Sequence, residues 1–414
     1  MKLMNMKDQH HPRALALVTV LWVVMILTAM VAVIAKTSRL DTRITIAGTE
    51  QVAGKWACRA ALETAIALLN EDPHTSDGIV DLWTLNPQWC ELVELPGCIF
   101  NIQFVDEAGK LNINTVTKEQ LLWLPYMTEE IADAIIDWRD ENDTPEPYGT
   151  EGDYYLNMPI PYLIRNGPYR TIRELLLVEG VTPELFYGED TNSNGRLDYN
   201  ENDGDLRPPL DNGDNILDLG WINYLTCYSY DDNTDGEGQP KVNINTANEQ
   251  TLTDSLEISS EVAQGIVQNQ EYNSIGDLLS GNSPLDIDTF ISIADRITVS
   301  EEQQIPGLIN VNSASEYVLM CLLNGDETLA ENIIAYRQSL PEGMYSIGEL
   351  LNVPGMTLGL FQDIANSITN HSNVFTVFCS SAATRTGALF FAEAVVDRSQ
   401  KPVQILFWHQ GANH

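Results

Sequence analysis

A long apolar segment dominates the hydrophobic pattern of this chain and runs from Ala14 to Ala35. It contains no charged side chain, and its only polar residues are Thr19 and Thr28. About 20 apolar residues in a helix, which rises roughly 1.5 Å per residue, cross the hydrocarbon core of a bilayer. The segment therefore predicts one membrane-spanning helix.

The residues that precede this segment predict its orientation. They include Lys2, Lys7 and Arg13 but only one acidic residue, Asp8. We therefore expect this tail in the cytoplasm and the rest of the chain on the opposite side of the membrane. A cleaved secretory signal is the alternative, but the apolar region of such a signal is only about 7 to 15 residues long.

The hydrophobic pattern of the remaining chain separates helices from strands. Apolar residues recur at helical spacing at Val52, Trp56, Leu62, Ile66 and Leu69, which predicts a long helix with one face packed on a sheet. Strand patterns occur at residues 99–105, 374–379, 389–396 and 403–408. Helical patterns fill the long interval between the first two strands. The predicted fold class is α+β, with a small antiparallel sheet interrupted by a large helical insertion.

A short phrase recurs three times within the insertion, at residues 111–115, 242–246 and 309–313. Each copy contains two asparagines and precedes an apolar helical segment, so the sequence contains an internal repeat. We expect the asparagines to be helix N-caps, because their side-chain oxygen accepts free backbone N–H groups. The repeat resembles the helix-hairpin-helix (SAM-like) family, whose members are known for binding nucleic-acid backbones.

Charge argues against nucleic acid as a partner. The predicted hairpins, at residues 124–128, 256–259 and 324–328, lack the second glycine of DNA-binding hairpins, and two of them carry carboxylates. The chain has 59 acidic and 22 basic residues and a net charge of -37. Nucleic-acid affinity comes mainly from Lys and Arg at phosphates. We therefore interpret the repeats as packing modules.

One loop has the pattern of a calcium site. The twelve residues that begin at Asp190 offer oxygen ligands at alternate positions, a glycine at position six and a carboxylate at position twelve. The predicted ligands are Asp190, Asn192, Asn194, the carbonyl of Arg196, Asp198 and Glu201. The ion, Ca²⁺, would be structural, and the alternative is a solvated acidic loop.

Two weaker acidic groups accompany this loop. A second run contains Asp231, Asn233 and Asp235, but its twelfth position is Val242. The other group consists of acidic residues that either a further cation site or a solvated loop would explain: Asp137, Asp140, Asp143, Glu151 and Asp153.

The remaining chemistry of the sequence is sparse. Six cysteines form no CxxC pair, which argues against zinc, and Cys90 and Cys98 are close enough in sequence to form a disulfide in an oxidising compartment. The sequence contains no Gly-x-Ser-x-Gly, HExxH, Walker or dinucleotide motif. We therefore do not predict an enzyme.

Taken in order, the segments resemble the K-type minor pseudopilin of type II secretion systems. The resemblance rests on residues 14–22 (ALALVTVLW), 106–114 (DEAGKLNIN), 137–140 (DWRD), 151–155 (EGDYY), 169–182 (YRTIRELLLVEGVT) and 242–247 (VNINTA), together with the C-terminal strands. It implies the domain boundaries 1–14 (leader), 15–35 (membrane helix), 36–110 (pilin-like part), 111–304 (helical insertion with calcium), 305–370 (an additional helix-hairpin-helix unit) and 371–414 (closing strands).

The resemblance also implies a function and partners. It implies a non-enzymatic tip subunit of the pseudopilus, anchored in the bacterial inner membrane with its main domain in the periplasm. Expected partners are I- and J-type minor pseudopilins, the major pseudopilin, exported substrates and prepilin peptidase, which would cleave between Ala14 and Leu15. The family's leader normally ends in glycine, and Thr19 occupies a position that most pilin-like subunits fill with glutamate.

Two other functions fit parts of the pattern. A minor pilin of a type IV pilus has the same general layout, and neighbouring genes would distinguish it. A membrane-anchored DNA receptor of the competence type would require basic hairpins, which this sequence does not have.

Overall fold

The computed structural model describes residues 12–73, 75–78, 81–191, 197–209, 211–280 and 285–412. Its first element, α1, spans Pro12–Glu71 and is 60 residues long. It is the one helix among the described residues that is long and apolar enough to cross a membrane. Side chains from residue 16 to residue 45 are all exposed, whereas the far end of α1 packs on a sheet.

The sheet contains five antiparallel strands in the order β1 to β5. They are β1 (Val93–Leu95), β2 (Cys98–Asp106), β3 (Val374–Ala383), β4 (Leu389–Asp397) and β5 (Gln404–Ala412). The four predicted strands are present, and β1 is an addition to them. β2 and β3 are hydrogen-bonded neighbours, with Asp106 opposite Phe375. The large insertion therefore leaves and re-enters the sheet at the same place.

The packed face of α1 is shorter than the sequence predicted. Leu62 and Leu69 are buried against the sheet, but Val52 and Trp56 are 57% and 70% exposed. Apolar spacing alone does not show where a helix leaves its sheet, and contact begins near Gly54. A Cβ atom there would lie 2.0 Å from the ring of Phe390, so only glycine allows this close approach.

The insertion contains three helical units of one design. In each unit two helices, a 3-10 turn and a third helix follow one another, and a parallel pair of two-residue strands closes the unit. Unit 1 has α3 (Lys118–Leu121), α4 (Glu129–Arg139), α5 (Gly152–Leu156, an extra helix), the 3-10 turn Ile172–Leu177 and α6 (Pro183–Tyr187); α2 (Leu82–Leu85) precedes the insertion. Unit 2 has α7 (Glu249–Leu256), α8 (Ser260–Gln268), Ile275–Leu279 and α9 (Ile287–Ile293). Unit 3 has α10 (Glu316–Leu322), α11 (Glu327–Ser339), Ile347–Asn352 and α12 (Leu358–Ile364).

Short strands complete the described structure. The closing pairs are Leu111–Asn112 with Leu225–Thr226, Val242–Asn243 with Ile297–Thr298, and Ile309–Asn310 with Ile368–Thr369. An antiparallel pair, Tyr230–Asp231 with Ile305–Pro306, links the segments between units. Further 3-10 turns span Pro87–Trp89, Tyr199–Glu201, Gly204–Leu206, Trp221–Asn223 and Ala294–Arg296.

The repeated asparagines organise loops and do not cap helices. The first asparagine of each pair accepts the backbone N–H of the second, at 2.9 Å for Asn112 and Asn114. The amide of Asn114 then bonds both the N–H and the carbonyl of Tyr169, and units 2 and 3 repeat this arrangement. The actual N-caps of the first helices are Thr117, Asn248 and Ser315. The N-cap prediction was wrong because each helix begins several residues later.

Units 2 and 3 pack on each other reciprocally. Ser274 donates to the carbonyl of Gln362 at 3.0 Å, and Ser346 donates to the carbonyl of Ile291 at 2.6 Å. Added Cβ atoms at Gly276 and Gly348 would each lie 2.9 Å from a Cα atom of the other unit. In unit 1 the corresponding position is Arg173, which pairs with Glu393 of β4 at 2.9 Å. Unit 1 therefore docks on the sheet at this position.

The cysteines form no disulfide among the described residues. Cys90 and Cys98 are both buried and free, so the bridge considered from the sequence is not formed. The carbonyl of Cys90 accepts the N–H of Ile102, which places it farther along β2 than Cys98.

Substitution of Gly348 by valine tests the close contact between units 2 and 3. We expect the free energy of unfolding to fall by about 2 kcal/mol, because the new side chain meets the backbone of Ile291. The control is Gly359→Ala, where nothing lies within 4 Å, and it should be neutral or stabilising by about 0.5 kcal/mol. Denaturant unfolding measures both, and equal effects would contradict the assigned contact.

Candidate functional site

Three carboxylates lie close together at the C-terminal end of α4 in unit 1. Asp137 lies in the last turn of α4, Asp140 is its C-cap and Glu151 precedes α5. One oxygen from each lies within 4.8 Å of the other two. Asp137 is fully buried and Glu151 is only 9% exposed. From the sequence alone, a cation site and a solvated loop were equally good interpretations of these residues.

Three oxygens of this cluster lack a hydrogen-bond partner among the described residues. One oxygen of Asp137 accepts the N–H of Glu146 at 2.9 Å, but its second oxygen and both oxygens of Glu151 accept no hydrogen bond. The nearby Lys118 pairs with Asp133 at 2.5 Å. Burial, followed by repulsion from neighbouring acids, raises the pKa of Glu151 to about 7 and that of Asp137 to about 6. The pocket thus presents hard oxygen ligands to an added cation, which suits Ca²⁺.

The other two acids of this region have different surroundings. Asp143 accepts a hydrogen bond from the amide of Asn166 at 2.9 Å, and Asp153 lies exposed in the first turn of α5. Neither belongs to the group of converging oxygens.

The predicted twelve-residue calcium loop is described at three of its six ligand positions. Asn192, Asn194 and Arg196 lie outside the described residues. Asp190 and Glu201 are buried, and one oxygen of Glu201 accepts the N–H of Asp198 at 2.9 Å. Its other oxygen has no hydrogen-bond partner. Burial and the charges of neighbouring acids raise the pKa of Glu201.

A second acidic segment folds back onto this loop. Glu189 accepts the N–H groups of Asn212 and Asp218 at 3.3 and 3.0 Å. Asp211 accepts those of Asp203 and Gly204 at 3.0 and 2.9 Å. Sequence reasoning missed this pairing, although the Asp-Asn-Gly-Asp run that begins at Asp211 resembles half of a calcium loop and was the available signal.

In the weaker second acidic run, basic side chains of the protein itself lie beside the first carboxylate, Asp231. Asp231 lies 3.4 Å from the ammonium group of Lys241 and 3.2 Å from a ring nitrogen of His371. Burial raises the pKa of Asp231, but Lys241, His371 and hydrogen bonds to the carboxylate together outweigh it and hold the pKa below its ordinary value. Asn233 donates to the carbonyl of Glu302, and Asp235 accepts backbone N–H groups of its own turn. A lysine thus occupies the place of an added cation.

One arginine of unit 1 and one of unit 3 donate to backbone carbonyls of their own unit. Arg337 of α11 donates to the carbonyls of Val311 and Ala314, both at 2.8 Å, and Arg139 of α4 makes the equivalent bonds in unit 1. Gln270 replaces the arginine in unit 2. These side chains hold the asparagine loops and are not available to a phosphate backbone.

An exposed apolar ridge follows α1 beyond its membrane segment. Leu40, Ile44, Val52 and Trp56 are 47%, 69%, 57% and 70% exposed, and Gly48 lies between them. Residues four apart form one ridge of a helix, and such ridges pack into the grooves of another helix. We refer to these five residues as the α1 ridge.

Comparison with known proteins gives the following similarities. Residues 109–187 match the family described as "Type II secretion system (T2SS), protein K", and residues 306–369 match the helix-hairpin-helix motif. The type II secretion system protein K of Klebsiella pneumoniae is 23% identical over 198 residues, which cover 43% of this chain and 60% of that protein. The chain therefore spans only 60% of the length of this curated relative.

One solved structure has a similar outline. It is the crystal structure of the GspK-GspI-GspJ complex from the type 2 secretion system of enterotoxigenic Escherichia coli. A chain of that complex matches with 13% identity and a TM-score of 0.48, over 89% of this chain and 99% of that one.

Substitution of Glu151 by glutamine tests the unneutralised charge in the carboxylate cluster. The folded-state pKa of Glu151 is raised, so its contribution to stability is present below its unfolded pKa and is lost as the pH rises through about 7. In EDTA, the variant should therefore gain about 3 °C in Tm over the wild type at pH 8 and almost nothing at pH 4. The exposed control Asp153→Asn should follow the wild type, and a pH-independent gain would exclude the charge explanation.

Proposed function

We propose that this chain, which belongs to the protein K family of type II secretion systems, is a non-enzymatic minor pseudopilin at the tip of the pseudopilus. The observation that carries the proposal is the form of α1. Residues 16–35 are exposed and predominantly apolar, as a membrane anchor requires, and the part of α1 beyond Gly54 packs on a five-stranded sheet. The subunit would initiate or cap assembly in the inner membrane, with its main domain in the periplasm.

The membrane-spanning part of α1 supports a position at the tip of the pseudopilus, where no other subunit lies above this one. A carboxylate in this segment would be costly without a partner. Thr19 stands there instead, and its hydroxyl donates to the carbonyl of Ala16 at 2.9 Å within the same helix. This side chain needs no partner subunit. The proposed cleavage site of prepilin peptidase, between Ala14 and Leu15, lies in the first turn of α1, which begins at Pro12.

The α1 ridge is the proposed contact for other subunits. I- and J-type minor pseudopilins and the major pseudopilin would be anchored in the same membrane, so their helices would run alongside α1. The ridge continues the apolar anchor outward and remains uncovered by the sheet. The exposed insertion is left free to contact exported substrates.

Substitution of Ile44 by aspartate tests the ridge. We expect co-purification of the full chain with I- and J-type partners to fall by at least about tenfold, because a charge would be buried between two helices. Thr42→Asp is the matched control, since it places the same charge about 160° around the helix. Both variants should keep the wild-type Tm, because both positions are exposed. Equal retention of partners by the two variants would rule out the ridge.

Calcium is the proposed ligand of the acidic sites in the insertion. One site comprises Asp137, Asp140 and Glu151, where buried oxygens lack partners. The other is the loop with Asp190, Asp198 and Glu201, to which Asn192, Asn194 and the carbonyl of Arg196 belong by sequence. The ion would neutralise carboxylates that otherwise repel one another and would tie loops that bury little apolar surface.

Chelation tests both calcium sites. Saturating Ca²⁺, at about 100 times its Kd, should stabilise the chain by about 2.7 kcal/mol per site, and EDTA should reverse the resulting rise in Tm. Calorimetric titration should show loss of one site in the double variant Asp137→Asn, Glu151→Gln, and loss of the other in Asp190→Asn, Glu201→Gln. The exposed control Asp254→Asn should bind as the wild type does. A Tm indifferent to both calcium and EDTA would remove the proposal.

A further inference from the structure

A buried cluster of charges lies where unit 3 meets the sheet. Its members are Asp72, Asp77, Asp81, Asp106 and Arg398, which we refer to as the junction cluster. Asp72 directly follows α1, Asp106 ends β2 and Arg398 directly follows β4. The cluster thus joins the end of α1, the ends of β2 and β4, and the segment between α1 and α2.

Arg398 neutralises only part of the cluster. Its guanidinium pairs with Asp72 at 2.9 Å and with Asp77 at 2.5 Å, and it is wholly buried. Asp81 accepts the N–H of Gly78 at 3.0 Å, and Asp106 accepts that of Ala108 at 2.7 Å. Neither Asp81 nor Asp106 forms an ion pair among the described residues. The cluster therefore contains four carboxylates and one cation, which pairs with two of them.

The same residues hold unit 3 in place. The amide of Asn310 donates to the carboxylate of Asp106 at 2.8 Å and to the carbonyl of Asp77 at 3.2 Å. Ser313 also donates to Asp106, and the N–H of Asp77 donates to the carbonyl of Asn370 at 3.0 Å. Both ends of unit 3 are thus bonded to the junction cluster.

A cavity adjoins these carboxylates. A cavity of about 680 Å³ separates unit 3 from the sheet and is lined by Asp77, Asp81 and Asp106. Three other charged residues line it: Glu91, Lys110 and Arg337. Lys110 is paired with Glu107 at 3.0 Å, and Arg337 donates to carbonyls of its own unit. Neither cation is therefore committed to the junction cluster.

We propose that the junction cluster is a proton-dependent latch, which holds unit 3 against the sheet while its carboxylates retain protons and loosens that contact when they are fully ionised. Protonation removes repulsion between carboxylates that the fold keeps close together. Loss of the last protons would leave three uncompensated negative charges at the contact. Opening of the cavity would then relieve the repulsion by hydrating them.

The surroundings set the pH range of this latch. Burial, followed by the charges of Asp77 and Asp72, raises the pKa of Asp81 to about 8. Burial likewise raises the pKa of Asp77 to about 7, even beside Arg398. Because these folded-state values exceed the unfolded one, the stabilisation is complete below about pH 4 and is lost as the pH rises through about 7 to 8.

Hydrogen exchange of the full chain in detergent micelles, with EDTA present, tests the latch. We expect the protection of residues 309–313 and 368–373, relative to the unit 2 helix at 260–268, to fall about tenfold between pH 6 and pH 9. Asp81→Asn keeps an oxygen for the N–H of Gly78 but cannot ionise, so its protection should fall clearly less than that of the wild type, with Asp77 still free to lose its proton. Asp81→Ser is a second variant for the case that the first does not fold.

Three results would overturn the proposal. The first is wild-type protection that does not change with pH. The second is an equal loss in Asp81→Asn and in the exposed control Asp254→Asn, which would indicate a general charge effect. The third is full recovery of protection at pH 9 when Ca²⁺ is added to the double variants that lack the calcium sites of the insertion. A metal ion would then be the natural counter-charge of the junction cluster.

Discussion

The structure depends on one backbone constraint: β2 and β3 are hydrogen-bonded neighbours, although the whole insertion separates them along the chain. The insertion must therefore leave the sheet at Asp106 and return at Val374. Glu107, the first residue beyond β2, accepts hydrogen bonds from Thr226 of unit 1 and from Thr376 of β3. Its buried carboxylate joins the two bodies where the chain passes between them.

The three units meet this constraint in different ways, although they share one design. Units 2 and 3 carry glycines at Gly276 and Gly348, so their backbones approach each other closely. Unit 1 has Arg173 at that position, whose charge pairs with Glu393 of the sheet. Unit 3 is bonded to the sheet through Asn310. The unit that the sequence marked as an addition is thus the one whose two ends lie at the junction.

The sequence predicted the parts of this fold that periodicity encodes. Alternating apolar residues located the long strands, but Val93–Leu95 is too short to show a period. The repeated asparagines were recognised as a motif, yet Asn114, whose N–H bonds Asn112, also bonds Tyr169 across a loop, a contact that no local pattern reveals. The packing limit of α1 was also missed, because Val52 fits the helical spacing whether or not a sheet lies beside it.

The negative charges of buried carboxylates are compensated differently at each site of this acidic chain. At Asp231 the chain supplies Lys241, and at Asp77 it supplies Arg398, which two carboxylates share. At Glu151 neither oxygen has a hydrogen-bond partner in the part of the chain that the structure describes. A folded chain retains buried carboxylates only when protons, cations or hydrogen bonds compensate them. Where several bare oxygens gather, as around Glu151, a divalent ion would satisfy them together. Where hydrogen bonds already occupy the oxygens, as in the junction cluster, a proton would suffice. The same excess of acid therefore gives the insertion its proposed ligand and the junction its proposed dependence on pH.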